Sequence, residues 1–129
     1  MLETQKLLRL KDLWDERCAR GLDDNPLGLL RYRSNLLGAD LRITNFGGGN
    51  TSSKFELKDP FTSKPVRVLA VKGSGGDIGS ITESGFAILY LDRLEQLKSL
   101  YRGEAHEDEM VGYYPLSAFG ENRVGSIPH

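Results

Sequence analysis

The sequence predicts an α/β fold in which helices sandwich a mainly antiparallel sheet. Two observations carry this: a pair of helix-period segments opens the chain, and short strand-like runs separated by tight turns fill its middle. A further helix-period segment then follows. With 39% hydrophobic and 27% charged residues over 129 positions, the chain can bury one modest core and is not disordered, so residues 1–129 are expected to form one unit.

Residues 4–20 place Leu7, Leu8, Leu10, Leu13, Trp14 and Cys18 near one helix face, and Gly21 ends the pattern. Asn25 is expected to cap a second helix with Pro26 at its first position, where a missing N–H costs nothing. Leu27, Leu29, Leu30, Tyr32, Leu36 and Leu37 form its apolar face as far as Gly38, leaving Arg31, Arg33 and Asn35 on the wet side. Residues 41–44 alternate as a half-buried strand would, and residues 53–58 alternate again until Asp59-Pro60. Val66, Val68, Leu69, Ala70 and Val71 mark the strongest strand. Residues 86–91 form a short continuous apolar run, expected as a buried strand. Between these strands, residues 82–84 suggest one helical turn. Asp92 and Glu95 resemble a capping box for a last helix bearing Leu94, Leu97, Leu100 and Tyr101. Residues 104–109 read as an acidic connector, and residues 110–119 as a short helix broken near Pro115.

Charge and cysteine usage narrow the function classes. The chain has 17 Lys and Arg against 18 Asp and Glu, a net charge of −1, so no basic excess points to nucleic acid or an anionic membrane. A small-molecule ligand is the default partner. The single Cys18 cannot form an internal disulfide and is expected as a reduced, partly buried helix residue. No apolar leader or long apolar span is seen, which places the protein in the cytoplasm and discounts the glycosylation sequon Asn50-Thr51-Ser52.

Two glycine-rich turns dominate the chemistry. Asn45-Phe46-Gly47-Gly48-Gly49-Asn50-Thr51-Ser52 and Lys72-Gly73-Ser74-Gly75-Gly76-Asp77 each follow a strand-like run. Glycine lets backbone approach a ligand closely, while free N–H groups and short polar side chains donate hydrogen bonds. If the turns converge, Gly49, Asn50, Thr51, Ser74, Gly75 and Gly76 would cradle a compact anion such as a phosphate monoester.

Rival sites fit less well. A dinucleotide fingerprint starting at Gly73 would need glycine at position 78, where Ile78 stands, and too little chain separates Val71 from Phe86 for a crossover helix. Lys72 precedes its glycines, so there is no Walker loop. The two histidines, His106 and His129, lie in separate segments and make no metal motif, so no metal ligand is assigned. Among the carboxylates, Asp77 and Glu83 lie nearest the second turn. The rest are expected to be solvated.

The two glycine turns together resemble the class II aldolase/adducin family, most closely the aldolase half of bifunctional rhamnulose-1-phosphate aldolase/alcohol dehydrogenases. Arg31-Tyr32-Arg33-Ser34-Asn35-Leu36-Leu37-Gly38, Ile81-Thr82-Glu83-Ser84-Gly85-Phe86 and Tyr114-Pro115-Leu116 fit the same picture. The resemblance implies an α/β/α sandwich, here truncated at its C-terminus, and zinc-dependent reversible cleavage of a ketose 1-phosphate to dihydroxyacetone phosphate and an aldehyde such as lactaldehyde. It assigns phosphate binding to Gly49 with Asn50 and to Ser74 with Gly75. The family's zinc histidines would follow Ser126-Ile127-Pro128-His129, so the chain is expected to hold the phosphate half of a site, with no catalytic residue assigned and no activity by itself. Family membership also implies a homo-oligomer. An adducin-like interaction module without chemistry is the alternative.

Overall fold

The computed structural model describes residues 11–120. Helix α1 spans Glu16–Arg20 and α2 spans Pro26–Ala39. Strands β1, Ser52–Lys58, and β2, Pro65–Lys72, form an antiparallel hairpin. Strand β3, Phe86–Tyr90, lies antiparallel to β2 on its other side and runs straight into helix α3, Leu91–Leu97. The sheet order is β1-β2-β3.

Register decides which residues reach the core. Phe55 faces Val68, Leu57 faces Val66, and Ala70 faces Ile88, so these side chains share one side of the sheet. On that side Leu30, Val68, Ala70, Phe86 and Ile88 form the buried cluster, joined by Leu27, Ile81 and Phe119. Helix α2 thus covers one face. The opposite face carries Leu69, Val71 and Leu89, which with Leu94, Leu97, Tyr101, Met110 and Tyr114 line a groove of about 590 Å³. Helices on both faces of an antiparallel sheet make the expected α/β/α arrangement.

The second helix starts as predicted. The Asn25 side chain accepts the Gly28 N–H at 2.9 Å, and Pro26 occupies the first turn. The hairpin end is pinned by Asp59, which is buried and accepts from the Tyr90 hydroxyl and the Phe61 N–H, both at 3.0 Å. Burial, followed by that bond to Asp59, raises the Tyr90 phenol above its ordinary pKa.

Several expectations change. Within residues 11–20 only Glu16–Arg20 is helical, because Asp15 accepts the Arg17 N–H at 2.8 Å and caps a helix there. The earlier part of the predicted 4–20 helix lies outside the described residues. Cys18 is exposed, and Ala19 is the residue that turns inward.

Residues 41–44 form turns instead of a strand. The Asp40 carboxylate accepts from the Arg42 N–H at 3.1 Å and from its guanidinium at 2.9 and 2.8 Å. The Asp40 carbonyl accepts from Ile43 and Thr44 at 3.1 and 3.2 Å, so local bonds take the groups a ladder would need.

Asp92 is not the cap of α3. The helix begins at Leu91 directly after β3, with Tyr90 at the cap position, which leaves Asp92 in the first turn beside the positive end of the dipole. The acidic connector and the helix broken at Pro115 are one run of 3-10 turns, Glu104–Ser117.

Candidate functional site

The two glycine turns meet at the same end of the sheet. β1 begins one residue after Thr51 and β2 ends one residue before Gly73, and antiparallel pairing puts Ser52 opposite Val71. The Lys72 N–H donates to the Thr51 carbonyl at 3.2 Å, and the Ile78 N–H donates to the Gly48 carbonyl at 3.5 Å. Convergence, the geometric part of the expectation, is therefore present.

The turns do not contribute equally. A hollow of about 320 Å³ is lined by Gly73, Ser74, Gly75, Gly76 and Asp77, closed by Ser80 to Thr82 and Gly85. Ser74, Gly75 and Gly76 are exposed along it. Gly75 and Gly76 have φ of 83° and 78°, a left-handed pair that only glycine adopts without strain. The N–H groups of these three residues find no acceptor among the described residues. Successive unpaired amides in such a turn form a concavity that suits an anion.

Gly49, Asn50 and Thr51 lie beside this hollow and do not line it. The Thr51 hydroxyl is 2.6 Å from that of Ser34, which is fully buried and donates to the Leu30 carbonyl at 2.7 Å or shares its proton with Thr51. Thr51 therefore anchors the start of β1 to α2. Gly49 packs against the Ile78 side chain.

Helix α2 braces the second turn from behind. Asn35, expected on the wet side, is half-buried and donates through Nδ2 to the Ile78 carbonyl at 2.9 Å and the Ile81 carbonyl at 3.1 Å. Arg31 in turn donates to Asn35 Oδ1 at 3.2 Å. Gly38 approaches so closely that a Cβ there would lie 2.1 Å from the Gly79 nitrogen. Arg33 is exposed and donates to the Ser52 carbonyl at 2.7 Å.

Of the two candidate carboxylates, Glu83 accepts from the Asn25 side chain at 3.1 Å and supports the start of α2. Asp77 lies in the site. It accepts the Gly47 N–H at 2.9 Å and the Gly79 N–H at 2.8 Å. Those bonds, Gly47's first and then Gly79's, hold its carboxyl below the ordinary value of 3.8, and the Lys72 charge adds to the effect.

Lys72 is the residue that sequence reading passed over. It continues the core-facing row Val66, Val68, Ala70, opposite Phe86, and is 2% exposed. Its ammonium makes no hydrogen bond or ion pair among the described residues. The side chain is buried while its charge reaches the second turn, where it acts on Asp77, so it is a candidate for meeting an anion there. A lysine two residues on from Ala70, in the row Val66, Val68, Ala70, was the available signal.

Among the described residues no group of three His, Cys, Asp or Glu could hold a metal ion. His106 is exposed, 3.7 Å from a Glu109 oxygen. His129 lies outside the described residues. No helix among those described is long and apolar enough to cross a membrane.

No family model matches the chain. It is 41% identical over 106 residues to a Bacillus subtilis protein named "Uncharacterized oxidoreductase YuxG", a match covering 81% of this chain and 14% of that protein. The chain thus spans about a seventh of the length of this curated relative. Among solved structures it resembles the N-terminal class II aldolase domain of a conserved protein from Thermoplasma acidophilum. The TM-score is 0.74 and the identity 26%, over 94% of this chain and 52% of that one.

Proposed function

Because the chain resembles a class II aldolase domain over nearly its whole length, we propose that it supplies the phosphate-binding half of a site for reversible aldol cleavage of a ketose 1-phosphate. Rhamnulose 1-phosphate, giving dihydroxyacetone phosphate and lactaldehyde, is the substrate favoured by the motifs around the two glycine turns. Residues 1–129 are then the N-terminal part of a single aldolase-like domain in a cytoplasmic homo-oligomer.

The observation that carries the reading is the turn Ser74-Gly75-Gly76, whose three amides find no acceptor among the described residues and line a hollow next to the buried Lys72. A phosphate monoester is compact, carries close to two negative charges and offers several acceptor oxygens, which suits amides, the Ser74 hydroxyl and an ammonium together. Gly49, Asn50 and Thr51, beside the hollow, would approach the bound anion from the first turn. Held by its phosphate, the ketose extends from the second turn with its reacting carbons away from these residues.

Zinc in this family stabilises the enediolate formed as the carbon–carbon bond breaks. The described residues do not fit the ion, since they offer no three clustered donors, and no step here is assigned to it. What this part of the chain does is bind and orient.

Titrating inorganic phosphate and dihydroxyacetone phosphate into the full chain, followed by amide NMR, tests the reading. The amides of Gly49, Asn50, Ser74 and Gly75 should shift together and saturate. Lys72→Met should weaken that binding about tenfold or more, as for loss of a charged hydrogen bond. Scattered shifts, or undiminished binding by the variant, would count against the site.

A further inference from the structure

The Asp77 carboxylate joins the two turns. Its Oδ2 accepts from the Gly47 N–H, thirty residues earlier in the chain, at 2.9 Å. Its Oδ1 accepts from the Gly79 N–H at 2.8 Å within its own turn. The bond from the Ile78 N–H to the Gly48 carbonyl is long by comparison, at 3.5 Å. Gly47 opens a run of three glycines, the residue type with the most backbone freedom to lose on ordering.

We infer that Asp77 is a positioning residue, which latches the first glycine turn onto the second and so sets Gly49, Asn50 and Thr51 beside Ser74, Gly75 and Gly76 before an anion arrives. The inference rests on the phosphate-binding reading of the two turns. A carboxylate near an anion site could instead compete for its donors. Here the amides Asp77 takes are those of Gly47 and Gly79, while those of Ser74, Gly75 and Gly76 meet no acceptor among the described residues. The first turn is thereby ordered without filling the hollow, and ordering in advance lowers the cost of binding. Both carboxylate oxygens are used, so an asparagine can replace only one of the two acceptors.

Asp77→Ala and Asp77→Asn in the full chain, with inorganic phosphate as the probe, test the latch. In the alanine variant, hydrogen exchange at the Gly47 amide should rise about tenfold or more while β2 amides keep their protection. Phosphate affinity should fall about tenfold. The asparagine variant should lie between wild type and alanine in both readouts, a graded rescue that a purely structural defect would not give. Unchanged Gly47 exchange in the alanine variant, or equal or tighter phosphate binding, overturns the latch. If wild type ignores phosphate, the phosphate reading fails, and Gly47 exchange still judges the latch on its own. If the alanine variant loses β2 protection altogether, the asparagine variant decides by the same measurements.

Discussion

Asp77 and Lys72 stand at the two ends of the second glycine turn. The carboxylate is engaged by Gly47 and Gly79, while the lysine side chain is buried and acts on Asp77 through its charge. Because both bonds need the ionised form, the Asp77 carboxyl is held below 3.8 in the fold. The sign follows directly: a depressed folded pKa stabilises the latch above the unfolded value, and that contribution is lost as pH falls through the lower folded value. The Gly47 and Gly79 amide protons should therefore titrate together in NMR, with a shared midpoint below 3.8. Separate midpoints, or a midpoint at or above that value, would mean that one carboxylate does not hold both. Sequence reading reached Asp77 as a residue near the turn, but its partner thirty positions away is a contact only folding makes.

At the level of elements, α2 does more than cover the sheet. Its N-terminal end is tied to Glu83 through Asn25, its middle to the second turn through Asn35, and its C-terminal end meets Gly79 through Gly38. The obstacle to a side chain at position 38 is backbone, which cannot rotate away. Gly38→Ala should lower stability by about 1–3 kcal/mol, as overpacking does, measurable as a drop in the urea midpoint. The amides of residues 78–81 should also shift most in its NMR spectrum. A variant of native stability with an unchanged second turn would show that this approach is not a constraint. The helix itself was legible, because Asn25-Pro26 and the leucine spacing are local signals. The inward turn of Asn35 was not, since a polar residue on a helix betrays no distant carbonyl.

On the scale of the whole molecule, one side of the sheet forms a closed core and the other an open groove. Phe86 is fully buried against α2 at the position opposite Lys72, so it joins the core to the candidate site. Phe86→Ala should destabilise the fold by about 3–5 kcal/mol, read from chemical denaturation. A loss under about 1 kcal/mol would mean that the cluster is not the fold's main support. The three strands were readable because alternation and turn residues are local properties. Residues 41–44 misled because the same alternation occurs in a turn that Asp40 closes on itself. Sequence alone determined the α/β class, the order of its principal elements and the two donor-rich turns, since periodicity and glycine spacing act over a few neighbouring residues. Only the tertiary structure decided that the second turn lines the hollow, that Thr51 binds Ser34, and that Lys72 is buried beside Asp77. Those outcomes depend on strand register and helix placement, which bring together groups that no local pattern connects.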